Sequence, residues 1–207
     1  SVTDLDANML DGWTNGAQNA AIRSLIFGGA TVTYTKEGEF EVDPYVAKSV
    51  ESTENNDGSK TYTIEIRDDL KWNDEENTPI TAEDYVFSLL FYASPEYASL
   101  DASDVHTYTN CYVGYEAYNS GESKTFQGIR LIDDHSFSVT ITAEELPYHY
   151  DIAYAAVDPL PMHVIAPDVT ITDRENGVTI SDNFTSELLE TTVNANGAYR
   201  YLPQLTY

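Results

Sequence analysis

The sequence predicts a mixed α/β (α+β) fold, built on an antiparallel-rich sheet with flanking helices. Two alternating segments and one well-marked helix start carry that expectation. Thr61 to Arg67 alternate strictly, with Tyr62, Ile64 and Ile66 on one side and Thr63, Glu65 and Arg67 on the other. Ser136 to Thr142 alternate again, after the polar turn Asp133-Asp134-His135. Each strand has one apolar and one polar face, which suits a sheet covered on a single side. Between them, Thr81 and Asp84 bracket a helix start: a Thr at the cap position, an acid three residues on, and an apolar run from Tyr85.

In chain order, the first predicted element is a helix over Gln18 to Phe27, ended by Gly28-Gly29. Val46 to Glu54 then pairs with the 61–67 strand. Asn56-Asp57-Gly58 lies between them, where Gly adopts positive φ freely and Asn and Asp nearly so. Pro79 ends the next loop, and Thr81 is expected to cap a helix beginning near Ala82. Val86, Leu89, Leu90 and Ala93 recur at helical spacing, and Ser94-Pro95 stops the helix. Residues 101–128 read as long loops with short helical pieces. The tail from Gly177 to Tyr207 reads as strand, short helix and strand, with a turn at Asn194-Ala195-Asn196-Gly197. No internal repeat and no low-complexity linker interrupt the chain.

Composition narrows the function. The 207 residues are 42% hydrophobic and 12% aromatic with 16 tyrosines, enough for a packed core. Thirty-five acids against 10 bases give a formal net charge of −25. That surface repels phosphate backbones and anionic lipid, which argues against nucleic-acid or membrane-surface binding. No stretch approaches the roughly 20 apolar residues of a membrane helix. The first residues lack a basic and then apolar pattern, so a secretion signal is expected to be absent or removed. Cys111 is the one cysteine, which excludes an internal disulfide.

No catalytic or metal motif emerges. Asp4-Leu5-Asp6-Ala7-Asn8 spaces oxygen ligands as a calcium loop does, but Met9 stands where such a loop needs Gly and Asn15 where it needs Glu. Cys111, His106, His135, His149 and His163 fall at no ligand spacing and read as a structural thiol and surface histidines. Gly28-Gly29 belongs to no phosphate loop. Asn183-Phe184-Thr185 fits a glycosylation sequon, a pattern too short to carry weight. The chain is expected to be neither an enzyme nor a holder of cofactor or metal.

Several segments in order resemble the family 5 extracellular solute-binding proteins, the oligopeptide- and dipeptide-binding components of bacterial ABC importers. The strongest block runs from Tyr62-Thr63-Ile64-Glu65-Ile66-Arg67 through Asp68-Asp69-Leu70-Lys71-Trp72 to Thr78-Pro79-Ile80-Thr81-Ala82-Glu83-Asp84-Tyr85-Val86. It is similar to the family's strand, Asp-Gly-Val-Lys-Trp-like turn and Gly-Thr-Pro-Leu-Thr-Ala-Glu-Asp-Val helix start, with Asn77 in place of the usual Gly. Gly128 to Ile141 resembles the family's paired strands around Asp-Asp-His, and Asn196-Gly197-Ala198-Tyr199 its Asn/Thr-Gly-Ala/Pro-Tyr. Leu146-Pro147-Tyr148-His149-Tyr150 with Pro159-Leu160-Pro161 is similar to a segment that enters a helix and leaves at a Pro-rich turn. Asp43-Pro44-Tyr45-Val46-Ala47-Lys48-Ser49 matches Pro-x-Leu-Ala-x-Ser-Trp, with Val50 replacing the Trp.

The resemblance implies the amino-terminal lobe of a two-lobe, periplasmic-binding-protein-like fold of the class II, peptide-binding type. Residues 31–168 would form an inserted subdomain, 1–30 and 169–207 the hinge-side sheet segments, and the carboxy-terminal lobe is expected to lie outside this sequence. It implies capture of a short peptide by closure of two lobes and delivery to ABC permease subunits, by an extracellular or periplasmic, lipid-anchored monomer. The segment itself would not insert into a membrane. By position, Asp11-Gly12-Trp13 falls near the family's peptide-pairing strand and Tyr108 near a cleft tyrosine; both read equally well as ordinary packing or loop residues. Ligands such as nickel, haem or sugar, and a carbohydrate-binding or purely structural module, stay open as alternatives.

Overall fold

A computed structural model of the chain describes residues 29–99, 108–189 and 205–206. The helix expected over 18–27, the acidic 4–8 segment and the turn at 194–197 lie outside these residues. The described chain opens with a hairpin of β1 (Val32–Tyr34) and β2 (Phe40–Val42). Then come β3 (Ala47–Glu54), β4 (Lys60–Ile66), β5 (Lys71–Trp72), α1 (Ala82–Ala93) and α2 (Pro95–Ala98). The 3₁₀ turn Thr109–Cys111, α3 (Tyr115–Asn119), β6 (Thr125–Phe126), β7 (Ile129–Asp133) and β8 (Ser136–Ile141) follow. After 3₁₀ turns at Ala143–Glu145 and Asp151–Ala155 come α4 (Met162–Ile165), β9 (Ile171–Arg174), β10 (Gly177–Ile180), a helical turn at 186–189 and β11 (Leu205–Thr206).

The main sheet is antiparallel in the order β3-β4-β8-β7. The predicted hairpin closes through Asp57, whose Oδ1 accepts from the Ser59 N–H at 3.0 Å, with Gly58 at φ 85°. Alternation then sets the register. Ile64 lies opposite Val50 and Phe137, and Tyr62, Ile64 and Ile66 are all buried. A one-residue slip would turn all three to water. A smaller sheet, β6-β10-β9, packs beside the first, and Arg130 on β7 clasps Asp173 on β9 at 2.8 Å. Gly177 (φ 124°) opens β10 where a side chain would strike the Phe126 carbonyl, so only glycine allows this approach.

α1 begins and ends as the sequence predicts, but its environment differs. The apolar positions read from the sequence account for one stripe of the helix, whereas ten of its twelve residues are buried. Tyr85, Val86, Leu89 and Leu90 pack on the main sheet, with Tyr85 stacked on Phe137 at 5.5 Å. Phe87 and Phe91 form the opposite face, in a second core with Tyr97, Met162, Phe184 and Leu189. The helix is apolar nearly all round and therefore sits between two cores.

A buried helix start needs buried acceptors for its free N–H groups. Asp134 supplies its carbonyl to Ala82 N–H at 2.8 Å. The Asp84 carboxylate accepts from Thr81 N–H at 3.0 Å and from Met162 N–H at 3.2 Å, while its own carbonyl accepts from Leu160 N–H at 3.1 Å. At the other end Asn119 Nδ2 donates to the Ala93 carbonyl at 3.0 Å, and Ser94 accepts from Tyr97 N–H to start α2. The helix expected after Pro147 is a five-residue 3₁₀ turn, Asp151–Ala155.

Burial pushes the Asp84 carboxyl up to about 6 from an ordinary 3.8, against the Thr81 and Met162 N–H groups that favour the charged form. The fold therefore favours the protonated acid. That contribution to stability is full below the ordinary carboxylate value and is lost as pH rises through about 6. Raising the pH from 4 to 7 should lower the unfolding free energy of the native sequence, relative to Asp84→Asn, by on the order of 2–3 kcal/mol in urea titrations. Parallel pH dependence of the two proteins would refute it.

Candidate functional site

After β8 the chain runs through Ala143–Glu145, the cis Leu146–Pro147 bond and Tyr148-His149-Tyr150 into Asp151–Ala155. It is pinned from three sides. Buried Thr31 donates its hydroxyl to the Ala155 carbonyl at 2.5 Å and accepts from Val157 N–H at 3.1 Å. Tyr112, itself buried, donates its hydroxyl to the Tyr154 carbonyl at 2.6 Å. Lys60 on β4 pairs with Asp151, and the Tyr62 hydroxyl lies beside the same carboxylate. Burial pushes the Asp151 acid up, but those two donors outweigh it and hold the carboxyl below its ordinary value.

So pinned, the segment presents a ridge of aromatic rings. Tyr108 meets Tyr154 edge-on at 5.3 Å, Tyr154 meets Tyr148 at 5.5 Å, and Tyr148 meets Tyr150 at 6.1 Å. Tyr150 continues to Phe40 at 5.8 Å and Phe40 to Tyr34 at 5.0 Å. Tyr154 is buried, whereas Tyr148 is 44% and Tyr34 64% exposed. Two of these rings, Tyr148 and Tyr34, are exposed, and exposed rings backed by a chain of others make the ridge a candidate for ligand contact. Beside the ridge lies a cavity of about 330 Å³, lined by Glu54, Asn55, Lys60, Leu146, Pro147 and Asp151 among others.

The Tyr108 end is the more polar. Thr142 N–H donates to the Cys111 carbonyl at 3.0 Å and Val113 N–H to the Thr140 carbonyl at 2.9 Å, which sews the 108–113 turn to the end of β8. Tyr108, Cys111 and Glu145 thereby converge. The Tyr154 hydroxyl lies 3.5 Å from Glu145 Oε2. Burial first, and the Glu145 charge second, push the Cys111 thiol up to about 11. Burial, Cys111 and Glu145 push the Tyr154 phenol up to about 12. Both groups therefore hold their protons at neutral pH.

Of the residues singled out from the sequence, Tyr108 stands at one end of the ridge, partly buried. Asp11, Gly12 and Trp13 lie outside the described residues. Cys111 is buried, as expected of a structural thiol. His163 pairs with Asp74 at 3.2 Å, and among the described residues no three metal-ligating side chains cluster. Sequence reasoning passed over Tyr148, Tyr150, Tyr154, Phe40 and Glu145 as site residues. The available signal was the density of rings in Tyr148-His149-Tyr150 and Tyr154; only the fold adds Phe40 and Tyr34.

Comparison with known proteins agrees with this architecture. The family described as "Bacterial extracellular solute-binding proteins, family 5 Middle" matches residues 41–202. The periplasmic oligopeptide-binding protein OppA of Escherichia coli K12 is 32% identical over 127 residues, 60% of this chain and 22% of that protein. The chain thus spans about a fifth of the length of such curated relatives. Among solved structures, a Borrelia burgdorferi periplasmic oligopeptide-binding protein superposes with a TM-score of 0.58 at 25% identity, over 83% of this chain and 33% of the other. Haemophilus influenzae OppA, solved in complex with RPPGFSPFR, gives a TM-score of 0.58 at 23% identity over 77% and 30%. These likenesses establish the fold as one shared with oligopeptide-binding proteins.

The state of Cys111 gives a direct check. With the side chain buried and its thiol raised to about 11, iodoacetamide at pH 8 should alkylate the native chain at least about tenfold more slowly than the urea-unfolded chain. Equal rates, followed by intact mass, would show that the thiol is open and ionised.

Proposed function

This chain belongs to the bacterial extracellular solute-binding proteins of family 5, and on that premise we propose that it forms the amino-terminal lobe of a receptor for short peptides. In this reading residues 31–168 form a subdomain inserted between hinge-side segments 1–30 and 169–207. The β9–β10 hairpin ties the second of these to the subdomain through β6. The whole protein works outside the cytoplasm, lipid-anchored and monomeric. It closes a second lobe over its ligand and hands the ligand to the permease subunits of an ABC importer. It is not an enzyme.

The observation that carries the proposal is the aromatic ridge, offered as this lobe's wall of the ligand cleft. Its neighbouring rings are tilted or edge-on, from 42° between Tyr148 and Tyr154 to 86° between Tyr108 and Tyr154. Rings so inclined form notches for side chains, not the flat platform on which a sugar ring stacks. Notches of this kind accept many side chains weakly. Backbone pairing, common to all peptides, then supplies an affinity independent of sequence, and Asp11-Gly12-Trp13 is proposed for that role.

One lobe leaves the ligand half in water, where each hydrogen bond contributes only about 0.5–1.5 kcal/mol and ordering the peptide opposes it. In isothermal titration, the full-length protein should bind mixed tri- to pentapeptides at micromolar level or tighter. This chain alone should bind them no tighter than roughly millimolar, about −4 kcal/mol. Micromolar binding by the chain alone would remove the two-lobe mechanism. Sugar, haem or nickel found in native mass spectra of the full-length protein, with no peptide, would replace the ligand class.

A further inference from the structure

Glu145 occupies an unusual position. It is exposed, yet its surroundings are aromatic: the Tyr154 hydroxyl at 3.5 Å, the Cys111 thiol beneath, and the Tyr148 and Tyr108 rings packed on Tyr154 at 5.5 and 5.3 Å. Among the described residues it forms no salt bridge. The cation that the fold brings to this side, Lys60, is already held by Asp151. The Cys111 thiol and the Tyr154 phenol stay protonated and offset none of the carboxylate's charge. The corner is therefore a carboxylate beside an array of electron-rich rings centred on Tyr154, without a positive partner among the described residues.

Building on the peptide-receptor reading, we infer that the corner formed by Glu145, Tyr108, Tyr148 and Tyr154 receives a lysine or arginine side chain of the bound peptide and biases the receptor toward cationic ligands. The chemistry matches on both counts. Ring faces attract ammonium and guanidinium groups, and the aliphatic stem of Lys or Arg packs on Tyr148 while its head reaches the carboxylate. A peptide's own amino terminus has no such stem to lay against the rings. A divalent metal would need about six oxygen ligands, and the corner offers one carboxylate. The overall charge acts in the same sense: at −25 the chain repels acidic peptides and draws basic ones.

The test uses ligand-free full-length protein and tetra-alanine peptides carrying lysine, or its uncharged analogue norleucine, at each position in turn. At low ionic strength, lysine in at least one position should bind roughly three- to tenfold tighter than norleucine there. Glu145→Gln should reduce that preference to within about twofold, because lysine peptides lose more affinity than norleucine peptides, and salt near 0.5 M should shrink it. Tyr148→Phe should keep the preference and Tyr148→Ala should weaken it. Equal binding of the two series overturns the inference but leaves the receptor reading intact. Equal loss of both in Glu145→Gln also overturns it, since the carboxylate would then hold the amino terminus. Binding of neither series by the native protein overturns both readings.

Discussion

A helix buried on two sides must start inside the protein, and Asp84 is the group that permits it. α1 lies between two cores and buries Ala82 and Asp84 of its first turn, so free N–H groups there need acceptors from the protein. The Asp84 carboxylate answers Thr81 within the helix and Met162 across it, and its carbonyl answers Leu160. One acid thereby joins the first turn of α1 to the start of α4. The arrangement holds a carboxyl in a place that disfavours its charge, which raises it to about 6.

The same constraint reaches the candidate site. Ser88, one turn along α1, donates its hydroxyl to the Asp158 carbonyl at 2.6 Å. With Asp84 holding Leu160 and Met162, and Thr31 holding Ala155 and Val157, the segment behind the ridge is fastened along its length. Tyr148 can then stand exposed, with Tyr150 half-buried beside it, on a backbone held from behind. A wall of rings on a fastened loop loses little freedom on meeting a ligand, which favours binding by a surface with few polar contacts.

The charge distribution complements that wall. Ion pairs such as Lys60 with Asp151 and Arg130 with Asp173 use several of the ten basic residues to join elements of the fold. Glu145 is left without a cation among the described residues, beside the Tyr154 hydroxyl at the end of the ridge. The excess of acid thus has two consequences: a field over the whole surface, and one specific carboxylate at the end of the ridge.

Much of the fold was legible because it depends on local pattern. Alternation in 61–67 and 136–142, the turn at Asp57-Gly58 and the Thr81/Asp84 start all act over a few residues, and each formed where the sequence placed it. The order of motifs likewise determined the family. What the sequence could not show was contact between distant residues. That α1 is buried on both sides depends on Phe184 and Met162 closing over Phe87 and Phe91. The ridge unites residues 34 and 40 with 108 and 148–154 through hydrogen bonds from Thr31 and Tyr112. Periodicity reports which face of an element is apolar. Which distant residue covers that face, or stands uncovered beside a carboxylate, is decided only when the chain closes on itself.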